Sequence, residues 1–404
     1  MEFNLYTLPN GIRCIHKRVK SEVAHCAVTV NTGSRDELPG EFGMAHLTEH
    51  TLFKGTAKRR AYHINCRLEN LGGELNAFTT KEDTTVHATT LRGDCNKAAE
   101  LIADIVFRST FPAAEVEKEK KVIIDEINFF RDAPADMIYD HYEDLLFEGS
   151  QLGHNILGTR CSVNKLHSEH IRSFVTRTYN TDQMVFSLIG NISEKSFRAT
   201  ADRYFGDLPA NPRRFVRSAP EAVAPFLKTI NKHNHQAHCI IGNRAYGIND
   251  RRRLPLLLLV NLLGGPSANS LLNTLVREKN GLSYNIEAGY TPFGETGTAT
   301  VYFSTDRDKT DLCLELVTRC LTQLKTRLLT PRRLSMAKKQ FMGQLAISSE
   351  SNEGYMLGAA KSYLVYDEVD SMESVYKKVS EISAQSILEA ANEIFTDTST
   401  LIYR

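Results

Sequence analysis

Apolar residues recur along this chain with two periods. Alternation by twos, with β-branched and aromatic residues at the apolar positions, runs through the opening MEFNLYTLPNGIRCIHKRVK, through LNAFTTKEDTTVHATT and through YNIEAGYTPFGETGTATVYFST, and predicts strands. Helical spacing marks residues 112–131, PAAEVEKEKKVIIDEINFFR, where Ser109 and Thr110 are candidate caps, Pro112 suits the first turn and acidic residues crowd the N-terminal end. A second helical run, PLLLLVNLLGG, lies in the other half, and long helical segments follow each alternating stretch.

These elements come in the same order twice. VAHCAVTVNTGSRDEL leads into a helix in the first half, as QAHCIIGNRAYGINDRRRL leads into PLLLLVNLLGG in the second. Between the halves stand Pro209, Pro212, Pro220 and Pro225, with Arg213, Arg214 and Arg217 among them, which reads as an exposed linker. The expected organisation is α+β: two related domains over residues 1–208 and 227–404, joined by a linker over 209–226, each a mainly antiparallel β-sheet packed with helices.

Composition narrows the partners. A length of 404 residues exceeds the usual reach of one hydrophobic core. With 49 Lys and Arg against 48 Asp and Glu, the formal net charge of +1 gives no electrostatic case for nucleic acid or an anionic membrane. No secretory signal or transit peptide is visible, and the most apolar run, Leu254 to Leu263, is too short to span a bilayer, so a cytoplasmic protein is expected, with a mitochondrial-type compartment as the alternative. Eight cysteines without a C-x-x-C pair read as reduced packing residues.

Chemistry concentrates in residues 46–50, HLTEH. On a helix, His46 and His50 lie four apart on one face with Glu49 beside them, so two imidazoles can hold a metal while the carboxylate stays free to act as a base. The order H-x-x-E-H inverts the zincin motif. A third ligand is needed, and the helix over 112–131 offers Glu119 and Glu126, seven apart on one face; Glu126 sits in the apolar run VIIDEI, where a carboxylate is costly unless something positive compensates it.

With these residues assembled, the chain resembles the pitrilysin and insulysin family of inverzincin zinc peptidases, most closely its short members, which include bacterial processing-peptidase homologues and the mitochondrial processing peptidase beta subunit. The resemblance covers nearly the whole chain and is carried by NTGSRDELPGEFGMAHLTEHTLFKGT, GGELNAFTT, LGHNILGT, YNTDQMVFSLIGN and REKNGLSY. It implies a Zn2+ site of His46, His50 and Glu126, Glu49 as general base, Glu119 as an acidic support to the site, and Arg277 and Tyr284 as oxyanion donors from the second domain. It further implies that an extended peptide adds to the sheet edge at Asn76, Ala77, Phe78 and Thr79, and that two copies form an enclosing homodimer. A heterodimeric presequence-processing subunit and a non-catalytic peptide-binding subunit are the alternatives. Two departures stand out: Thr48 and Thr51 occupy places often apolar in relatives, and LGGPSANSLL lacks an arginine that many members carry.

Overall fold

The computed structural model describes residues 3–232 and 234–404. Two compact units emerge, each assembled from three chain segments: residues 1–128, 154–218 and 347–371 form the first, and 129–153, 219–346 and 372–404 the second.

The first unit is built on six strands, β1 (Asn4–Thr7), β2 (Arg13–Arg18), β3 (Val23–Val30), β4 (Glu74–Thr79), β5 (Thr84–Leu91) and β6 (Met184–Gly190), in the order β1-β2-β6-β3-β5-β4. All neighbours are antiparallel except β2 and β6. The second unit has five: β7 (Leu227–Ile230), β8 (Gln236–Tyr246), β9 (Ile286–Pro292), β10 (Thr296–Asp306) and β11 (Ser399–Tyr403), ordered β7-β11-β8-β10-β9, with β7 and β11 the parallel pair. Mapping β2 through β6 onto β7 through β11 reproduces the order strand for strand. The repeat expected from the sequence is therefore a repeat of topology, and the two alternating stretches become the equivalent hairpins β4–β5 and β9–β10.

Both sheets are covered on two faces, and that decides which strands alternate. β6, MVFSLIG, is buried throughout: Met184, Phe186 and Leu188 join the main core with the helix Cys95–Arg108, while Val185 and Ile189 meet the helix Asn352–Tyr366 through Ala359, Ala360 and Met356. A strand covered on both faces has no polar side to show. In the second unit, Ala299, Val301 and Phe303 of β10 pack with the helix Arg253–Gly264 side of the core, and Tyr302 packs with Ile138 and Tyr142 of the helix Pro134–Leu146. The covering helices thus come from distant chain positions, across the division between 1–208 and 227–404.

The proline-rich stretch 209–226 contains no helix or strand, but it is not loose. Residues 211, 213, 215 and 217 turn inward, and Arg217 holds Asp36 with a two-pronged pair at 2.9 and 2.7 Å while also donating to the Glu82 carbonyl at 2.8 Å. Expected exposure therefore fails between 211 and 217, where it applies to alternate positions such as Arg214 and Val216, and holds for most of the remaining stretch. Among the described residues no helix is long and apolar enough to cross a membrane. All eight cysteines are free thiols, six of them buried.

Candidate metal centre

HLTEH lies on a nine-residue helix, Met44–Leu52, whose Met44, Ala45, Leu47, Thr48 and Leu52 are buried in the core of the first unit. Thr48 and Thr51, the two departures from the expected apolar pattern, are fully buried. Their hydroxyls donate to carbonyls one turn back, Met44 at 2.8 Å and Leu47 at 2.7 Å, so neither leaves an unsatisfied group under the helix.

The carboxylate helix is Ala113–Arg131, buried along Val116, Glu119, Lys120 and Ile123. Its start is fixed differently from the expectation. Ser109 and Thr110 do not cap it: Ser109 Oγ donates to the Leu52 carbonyl at 3.0 Å and Thr110 Oγ1 to the Gly55 carbonyl at 3.3 Å. These bonds tie the approach to the carboxylate helix against the exit of the histidine helix. Of the two apolar residues that separate Glu119 from Glu126, Val122 turns to solvent and only Ile123 is buried, while the Glu126 side chain is itself about one-third exposed.

Among the described residues, His46, His50 and Glu126 form the one group of three ligand-type side chains whose donor atoms lie within 4.8 Å of each other. Nε2 of each histidine stands 3.8 Å from Glu126 Oε2. Tetrahedral zinc with bonds of roughly 2.0–2.1 Å sets its ligand atoms about 3.3 Å apart, so each histidine Nε2 has about half an ångström to close on Glu126. Protonation is arranged to suit. His50 Nδ1 donates to Glu119 Oε2 at 3.2 Å, which turns Nε2, the other ring nitrogen, toward Glu126. Burial, and then the neighbouring His50, push His46 down to about 3, so its imidazole is neutral at ordinary pH. His46 Nδ1 is buried without a hydrogen-bond partner among the described residues, so packing alone, and no hydrogen bond to this nitrogen, orients the ring. The donor set fits zinc.

Glu119 is a junction. Besides His50 it takes Lys54 Nζ at 2.9 Å, an ion pair that the sequence reading did not single out, although a lysine four residues beyond His50 on the same strand of chain is a readable hint. Glu49 accepts from Thr79 Oγ1 at 2.6 Å. Burial raises its pKa above the usual carboxylate value, with the Thr79 bond opposing.

Asn76, Ala77, Phe78 and Thr79 all lie on β4, the strand at the free edge of the first sheet. Their exposure alternates, with Asn76 and Phe78 outward. Arg277 and Tyr284 lie on the second unit. Arg277 sits in the π-helical turn Asn273–Glu278, its guanidinium 5.1 Å from the centre of the Tyr284 ring, and Tyr284 is 81% exposed in the connection before β9. The structure thus gathers the histidines, Glu126, Glu119, Glu49 and β4 on one unit and pairs Arg277 with Tyr284 on the other.

Residues 14–160 match the insulinase (peptidase family M16) domain, and residues 165–341 match the peptidase M16 inactive domain. A Bacillus subtilis protein described as an uncharacterized zinc protease is 31% identical over 399 residues, spanning 98% of this chain and 96% of that one. The chain belongs to peptidase family M16. A second relative, an uncharacterized zinc protease of Rickettsia bellii, is also 31% identical, over 404 residues and the same shares of both chains. In three dimensions a protease from Helicobacter pylori superposes with a TM-score of 0.92 at 19% identity, covering 100% of this chain and 99% of that one, and a peptidase M16 inactive domain from Pseudomonas fluorescens gives 0.92 at 19%, covering 100% and 97%. These superpositions establish the M16 fold: two sheet-and-helix domains, with the ligand trio in the half that matches the insulinase domain.

Proposed function

We propose that this M16 chain is a zinc-dependent endopeptidase acting on short or unfolded peptides, with His46, His50 and Glu126 as ligands. The observation that carries the proposal is the convergence of two imidazole nitrogens and one carboxylate oxygen beside a separate, raised-pKa carboxylate, next to a free sheet edge. Zinc, when bound, supplies Lewis-acid activation of water and of the scissile carbonyl. Everything else falls to the chain. An extended peptide pairs with the backbone of β4 along Asn76 to Thr79, which reads shape more than sequence. Glu49, steadied by the Thr79 hydroxyl, takes a proton from the attacking water and returns it to the departing amine nitrogen. Arg277 and Tyr284 donate to the oxyanion that develops on the carbonyl, a role their exposure on the second unit leaves them free to take. Enclosure of the peptide is assigned to a homodimer.

The test is peptide hydrolysis by the purified chain alone, with chelator and with zinc re-added, while its mass in solution is recorded. Chelator-sensitive cleavage by a dimer is expected, and Glu49→Gln is expected to keep its zinc while losing about 100- to 10,000-fold in kcat. A Glu49→Gln variant with near wild-type turnover removes the assigned base, and a zinc-loaded but inactive wild type points to a missing partner chain.

A further inference from the structure

The helix that carries HLTEH has no cap of its own. Its N-cap position is Gly43, which has no side chain to offer, and φ of +93° there shows a turn that an L side chain resists. The first N–H groups of a helix need acceptors. Here they come from Glu37, outside the helix and 1% exposed: Oε2 accepts from Gly43 N at 3.1 Å and Oε1 from Ala45 N at 2.8 Å.

Glu37 does not stand alone. His154 Nε2 lies 2.8 Å from Glu37 Oε2, and the ring is stacked on Phe42 at 4.3 Å between centroids. Its backbone carbonyl accepts from Lys81 Nζ at 2.6 Å. Lys81 follows β4 by two residues, and β4 ends at Thr79, whose hydroxyl holds Glu49. The same connection is therefore tied to the helix twice: once at its start, through Lys81, His154 and Glu37, and once at its middle, through Thr79 and Glu49. Backbone packing closes the assembly, since a Cβ at Gly43 would come within 2.7 Å of the Leu157 carbonyl.

We infer that Glu37 and His154 are a positioning pair that sets the HLTEH helix against the β4 edge, so that Glu49 faces a peptide lying on that edge. Neither belongs to the trio of His46, His50 and Glu126. A slip of the helix along β4 would break both ties together, and misplacing a base by about 1 Å costs on the order of 100-fold in rate. The inference deepens the peptidase reading and rests on it for its kinetic consequence.

The experiment compares His154→Leu with His154→Gln in the full-length protein, because the glutamine Nε2 keeps a donor at nearly the reach of the imidazole Nε2. Two readouts are taken: amide hydrogen exchange over residues 43–46, and kcat and KM on a fluorogenic peptide at measured zinc content. His154→Leu is expected to speed exchange at Gly43 and Ala45 by at least about tenfold and to lower kcat by about 10- to 100-fold at unchanged zinc content and KM. His154→Gln restores both. Unchanged exchange in His154→Leu overturns the inference, as does activity that merely tracks lost zinc or lost fold, with glutamine failing as badly as leucine. If His154→Leu does not fold, Glu37→Gln carries the same two readouts, since its amide turns a donor toward Gly43 N–H while keeping the shape. A wild type that hydrolyses nothing sinks the peptidase reading, while the exchange comparison still decides the positioning pair.

Discussion

Removing the charge that orients His50 should weaken zinc binding without touching a ligand. Glu119 accepts from His50 Nδ1 at 3.2 Å and from Lys54 Nζ at 2.9 Å, with its side chain 10% exposed. In Glu119→Ala both donors lose their acceptor inside a largely dry pocket, and the His50 ring loses the bond that selects its tautomer. Partners of this kind are worth about 10- to 100-fold in metal affinity, equivalent to about 1.4–2.7 kcal/mol. Glu119→Gln keeps an oxygen for one donor but surrenders the charge, so it belongs at the lower end of that range. The assay is competition against a chelator of known zinc affinity, paired with melting curves in excess zinc and in chelator. Since a ligand stabilises by RT ln(1 + [L]/Kd), the zinc-dependent part of the melting free energy should shrink by the same 1.4–2.7 kcal/mol or so, on top of the loss that the two stranded donors cause in chelator and in zinc alike. An affinity within twofold of wild type, or an equal loss of stability with and without zinc, would refute the role given to Glu119.

Three further outcomes are expected. Leu47, fully buried between the two ligand histidines, should cost about 2–5 kcal/mol as Leu47→Ala, read as a lower chemical-denaturation midpoint that added zinc partly recovers; a change below 1 kcal/mol or so would mean the helix is not seated as described. Tyr284→Phe removes the hydroxyl proposed as an oxyanion donor from an 81% exposed side chain, so kcat should fall on the order of 100-fold with no change in melting temperature, and an unaltered kcat would remove Tyr284 from the chemistry. Burial lowers the pKa of His16, His25, His141 and His238 below the usual 6.5. The unfolded chain therefore binds more protons than the native one below that pH, and the stability these groups confer is complete above it and lost as pH falls toward the depressed native values. Melting temperature should drop between pH 7 and 5, with a shallower slope in His16→Gln, whose wild-type ring shares Nδ1 with Asn4 and Nε2 with the Ile192 carbonyl; a flat or rising profile contradicts the assignment.

Local pattern determined a good deal by itself. Period and spacing were enough for the strand character of the two alternating stretches, for the carboxylate helix and for the repeat, because a strand or helix declares which of its residues must be buried; that each stretch folds back as a hairpin was not read from them. Both histidines could be paired on one face from their separation alone, since four residues make one turn. Nothing in the chain order, however, says that residues 352–366 cover the first sheet or that 134–146 cover the second, because a sheet face is closed by whatever apolar helix fits it, near or far in sequence. Ser109 and Thr110 read as caps, yet their hydroxyls serve the exit of another helix, and the arginines of the proline-rich stretch read as solvated, yet Arg217 is pinned to Asp36. Glu37 and His154 stand 117 positions apart and carry no local signal of their meeting. Sequence fixes which side chains have the chemistry to hold a metal or a proton; only tertiary packing brings donors from separate elements within hydrogen-bond reach, because hydrogen bonds and ligand spacing depend on tenths of an ångström that no periodicity encodes.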